Sequence, residues 1–75
     1  MPGLRPMKGK EVLRRLQRAG FVVVRTKGSA YYLRHPQTCR FTSVHVHGNA
    51  DIPLGTLRAI VVEQAGLTAE EFEAL

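Results

Sequence analysis

His45 and His47 stand two residues apart in an alternating run, Arg40 to His47 (RFTSVHVH), so a strand there puts both imidazoles on one face. Imidazole exchanges protons near neutral pH and bonds phosphate oxygens or hydroxyls, which suits either acid–base work or contact with an anion. The preceding run, Ala30 to His35 (AYYLRH), places Ala30, Tyr32 and Arg34 on one side of a second strand. Lys27, Gly28 and Ser29 make the turn before it. Guanidinium and ammonium groups neutralise phosphates, and a tyrosine ring stacks on a base. Lys27, Gly28, Ser29, Tyr32, Arg34, His45 and His47 are therefore the expected RNA-contacting set. The competing reading is plain: Tyr and His are good strand residues, and a one-residue register slip reverses the face.

Other chemistries find less support. His45 and His47, with His35 as a third candidate, could chelate a metal, but the pattern brings them no carboxylate, and zinc wants three or four protein ligands. Neither metal nor cofactor is expected. Cys39 reads as an inert side chain at a strand edge. The chain has no phosphate-binding glycine fingerprint, no paired-carboxylate arrangement and no recognisable Ser-His-Asp set.

The elements that must position these groups follow from periodicity. Val12, Leu13, Leu16 and Ala19 recur at helical spacing, with Gly9 able to begin the helix and Gly20 to end it. Phe21 to Thr26 (FVVVRT), Ala30 to His35 and Arg40 to His47 read as three strands joined by short turns, which favours an antiparallel meander. Leu54, Leu57, Ile60 and Val61 then make an apolar stripe, with Pro53 in the first turn and Gly66 closing one continuous helix. Thr68-Ala69-Glu70-Glu71 matches a capping box, so a short helix is expected over Ala69 to Ala74. Residues 1–7 show no periodicity and read as a disordered leader to a single domain over residues 8–75. The fold class is α+β: helix, three-stranded antiparallel sheet, helix and short C-terminal helix, with helices on one sheet face.

Charge is distributed unevenly. All eleven Lys and Arg lie between Arg5 and Arg58 against only Glu11 and Asp51, a net of +9. From Ala59 onward there are four Glu and no base. A basic body suits a polyanion, because each neutralised phosphate releases condensed counterions. The bland reading is a solvated basic surface beside an acidic helix end. At 75 residues the chain supports one modest core. The single cysteine makes no internal disulfide, and no apolar run approaches the ~20 residues of a membrane span. Without a signal-peptide pattern at Met1 to Pro6, a cytoplasmic setting with no membrane partner is expected.

Several short stretches, taken in order, resemble the HicA toxin family. They are Lys10-Glu11-Val12-Leu13, Ala19-Gly20-Phe21, Lys27-Gly28-Ser29, His35-Pro36, Val46-His47-Gly48, Pro53-Leu54-Gly55-Thr56-Leu57-Arg58 and Ala65-Gly66-Leu67. The resemblance runs from Met7 to Phe72 and implies a double-stranded-RNA-binding-domain-like fold. It further implies a toxin that cleaves mRNA and a partner antitoxin of the HicB type. The family's catalytic histidine follows the Gly-Ser turn, and here that position is Ala30, followed by Tyr31. A methyl group moves no proton, and losing a positioned acid or base removes ~10²–10⁴ of rate. The expectation is an RNA-binding endoribonuclease scaffold silenced at Ala30. The alternatives are an RNA-binding module without catalysis, or a domain whose basic face serves only an acidic antitoxin.

Overall fold

The computed structural model describes residues 3–75. In chain order the elements are β1 (Met7–Lys8), α1 (Gly9–Arg18), β2 (Val22–Lys27), β3 (Ala30–Arg34), β4 (Phe41–His45), β5 (Asp51–Ile52) and α2 (Leu54–Arg58). A π-helical turn (Ala59–Gln64) continues α2, and α3 (Ala69–Glu73) follows. β2, β3 and β4 form an antiparallel sheet in sequence order, and β1 pairs with β5 as a separate two-stranded ribbon.

Strand alternation decides what the sheet buries. Leu33 and Val44 are fully buried, and Thr42, the cross-strand partner of Leu33, is nearly so. This face meets Val12 and Leu16 of α1, Leu57 of α2, Ile60 and Val61 of the π turn, and Phe72 of α3 in one apolar cluster. Each such side chain contributes roughly 1.5–3 kcal/mol on burial. The buried Thr42 hydroxyl is satisfied by donating to Gln64 Oε1 at 2.6 Å, which ties β4 to the π turn. Gly9 is required by close approach, since a Cβ there would stand 2.6 Å from the His45 carbonyl oxygen.

The helix after Pro53 differs from the expected continuous α-helix. Pro53 takes the N-cap position, and beyond Arg58 the Ala65 N–H donates to Ile60 O at 2.9 Å, five residues back. Widening the turn lets Ile60, Val61 and Ala65 all face the core, which 3.6-residue spacing serves less well. The strand ends differ from expectation: Phe21, His35, Arg40, Val46 and His47 lie outside them, and Lys27, expected in the turn, ends β2. α3 begins with both bonds of the capping box, Glu71 N to Thr68 Oγ1 at 3.0 Å and Thr68 N to Glu71 Oε1 at 2.9 Å.

The expected leader, residues 1–7, holds two core contacts, at Leu4 and Met7. Met1 and Pro2 lie outside the described residues. Met7 also pairs with Ile52 in the β1–β5 ribbon. Two isolated apolar residues are enough to dock a short segment but too few to make a periodic pattern.

Candidate nucleic-acid interface

The sheet face turned away from the helices is built from three cross-strand rows. β2–β3–β4 registration sets Lys27, Ala30 and His45 in the first, Arg25, Tyr32 and Ser43 in the second, and Val22, Arg34 and Phe41 in the third. Cations occupy every row, and none of the nine residues is acidic. Tyr32 and Phe41 stack diagonally, with centroids 6.1 Å apart and planes 27° off parallel. Val24 joins them around a shallow depression with Arg25, so an apolar and aromatic patch lies among the cations. Such interleaving suits stacked bases along a neutralised backbone.

Ala30 lies on this face and not beneath the helices, directly opposite His45. It is only 6% exposed. His47 lies beyond the end of β4 and stacks on His45, with centroids 5.9 Å apart and planes 12° off parallel. The Val46 N–H donates to Ser29 O at 2.9 Å and extends the ladder past the Ala30–His45 pair. Gly28 and Ser29 form the two-residue turn capping β2 and β3, with Gly28 at φ 58°, as a twist-matched hairpin requires. Seven expected contact residues are thus gathered at one face and its turn edge. Arg34 sits at the far end, where its Nη2 reaches Cys39 Sγ at 3.3 Å.

His35 is the exception among the histidines. Its Nδ1 accepts from the Gln37 and Thr38 backbone N–H groups at 3.2 and 3.3 Å, and its Nε2 stands 3.2 Å from Ala19 O. That pattern makes Nε2 the protonated nitrogen. The ring also meets Phe21 edge-on at 5.1 Å. His35 therefore braces the end of α1 against the β3–β4 loop, at the opposite end of β3 from Ala30 and His45.

Arg25, Val22 and Val24 belong to this face without having been expected there, whereas alternation already sets Phe41 with His45. Strict alternation from the buried Phe21 sends Arg25 and Lys27 inward. The register shifts between Val23 and Arg25, and the extra residue reverses the parity, so both cations turn outward. No residue type in VVVRTK announces that bulge.

The geometry defines an α+β domain in which a basic, aromatic sheet face lies opposite a helix-packed core. A family model described as the HicA toxin of bacterial toxin–antitoxin systems matches residues 9–67, and the chain belongs to this family. The fold is accordingly of the double-stranded-RNA-binding-domain-like kind, and the chain is a toxin-family member of a toxin–antitoxin system. No match was found among curated proteins. Among the described residues no helix is long and apolar enough to cross a membrane.

Proposed function

We propose that this domain is the RNA-cleaving scaffold of a toxin–antitoxin pair, acting on mRNA in the cytoplasm, with its proton-transfer position occupied by an inert methyl. The carrying observation is the row Lys27–Ala30–His45. An imidazole at position 30 would project from the open face between an ammonium group and a second imidazole. Cleavage through the 2′-hydroxyl forms a bond from that oxygen to phosphorus and breaks the bond to the 5′-oxygen. The first oxygen must lose a proton and the departing one must gain one. A histidine at 30 supplies the first transfer, His45 stands ready for the second, and Lys27 and Arg25 offset charge on the phosphoryl oxygens. With Ala30 the first transfer has no agent, while phosphate contacts and stacking remain.

The basic face also suits an acidic antitoxin of the HicB type, and shared use of one face would explain how such a partner silences a toxin. Competition tests this part. RNA and antitoxin should exclude one another, and simultaneous independent binding contradicts shared use. The catalytic part is tested by Ala30→His with RNA cleavage read in the presence of a chelator. A restored protein that leaves mRNA intact favours the alternative, a binding module without catalysis. The complete set of cations and stacked rings outside position 30 fits that alternative.

A further inference from the structure

A cleft of about 290 Å³ opens beside the free edge of β4, between that strand and the π turn. Ser43, His45 and His47 line one wall, Ala59, Ile60 and Gln64 another, and β5 and the start of α2 close the cleft, bringing the Asp51 carboxylate to its lining. Its volume lies at the bottom of the range for small-molecule sites, roughly 300–1,000 Å³, so it has room for one planar ring system but not for a helix or strand. Ile60 supplies apolar surface, and the parallel imidazoles of His45 and His47 supply stacking faces. Gln64 is held in place, because its Oε1 accepts the Thr42 hydroxyl and its NH₂ group is left to donate elsewhere. The wide turn creates this wall, and such turns recur at functional sites. His45 belongs both to the cleft and to the row with Lys27 and Ala30, so the cleft adjoins the basic face.

We propose that this cleft is a base pocket, taking a single unpaired nucleobase splayed out from an RNA strand that crosses the open face. The inference rests on the RNA-binding reading above and adds to it a place where sequence is read. Phosphate contacts on the open face position the strand without regard to sequence. The Gln64 amide meets the edge of the inserted base, and the imidazole pair stacks on its plane, the mode by which proteins read single-stranded RNA. Base preference therefore resides in the π turn and overall affinity in the sheet.

The test uses the full chain and four fluorescent RNA hexamers, one of each base, with dissociation constants measured over a range of salt concentrations. Gln64→Ala removes the reading group but also the Thr42 hydroxyl's partner, so Thr42→Val, which loses the same bond and keeps the amide, serves as its control; Ala59→Phe fills the cleft. The expected result is that wild type ranks the four hexamers and Gln64→Ala weakens the preferred one by about tenfold, the loss of one good hydrogen bond. The slope of log Kd against log salt stays the same, because no phosphate contact has been lost. Ala59→Phe should flatten the ranking further. Should that variant fail to fold by circular dichroism, Gln64→Ala compared with Thr42→Val decides: a loss of ranking in the first and not in the second supports the base pocket, and an equal loss in both overturns it. Salt-dependent binding with wild-type ranking in Gln64→Ala overturns the base pocket and leaves the RNA reading standing. No binding of any hexamer by wild type at low salt overturns both. A cleft that responds only to an antitoxin also overturns the proposal.

Discussion

Arg15 reaches across from α1 to the end of α3, where its Nη1 donates to Phe72 O at 3.1 Å while its guanidinium lies 5.5 Å from the centre of the Phe72 ring. The same side chain donates through Nε to Glu11 Oε2 at 2.9 Å. One cation thus satisfies a carbonyl at a helix C-terminus, covers a fully buried aromatic ring and pairs with an acid one turn back on its own helix. The C-terminal helix is short, so its attachment depends heavily on such contacts.

Arg15→Met keeps the length and apolar stem but removes the donors. It should lower stability by about 1–3 kcal/mol, the cost of leaving partly buried acceptors unpaired. Chemical denaturation checks this, and RNA affinity should stay the same because Arg15 is on the helical side of the domain.

Glu11 is held below the ordinary glutamate range, first by its hydrogen bond with Arg14 and then by that with Arg15. A carboxylate whose folded value is depressed adds stability that is complete above its unfolded value and is lost as pH falls through the folded one. Glu11→Gln should therefore melt below wild type at neutral pH. The gap should close as pH falls below the usual glutamate range. Melting temperatures of both proteins across an acid series show whether it does.

Much of this architecture is legible in residue order, for identifiable reasons. The α1 stripe Val12–Leu16 and the capping box Thr68–Glu71 are local signals, and each appears where spacing places it. The face shared by Ala30, Tyr32, Arg34 and His45 follows from period two anchored on Leu33 and Val44. What escapes is non-local or aperiodic. The bulge beside Val24 changes the side on which Arg25 and Lys27 emerge, and the π turn at Ala59–Gln64 depends on core contacts with β4. The Met7–Ile52 pairing joins residues far apart in the chain. Cys39 adopts φ 62° in the β3–β4 loop, a conformation that its residue type does not advertise.

Arg25 and Lys27 should act as phosphate contacts. Arg25→Ala is expected to weaken binding of single-stranded RNA about equally for all sequences and to reduce the salt slope by about 1. Lys27→Ala should do the same. Affinity titrations at several salt concentrations measure both, and a sequence-selective loss with an unchanged slope would assign Arg25 to base reading instead.

Binding and proton transfer separate at position 30, and a paired experiment on two proteins resolves them. Wild type and Ala30→His are incubated with the same mRNA and a chelator, while affinity is measured on a short uncleavable analogue lacking 2′-hydroxyls. Affinity and salt dependence should be similar for the two proteins, with cleavage at least ~10² faster in Ala30→His. Equal cleavage rates with Ala or His at position 30 would contradict that separation.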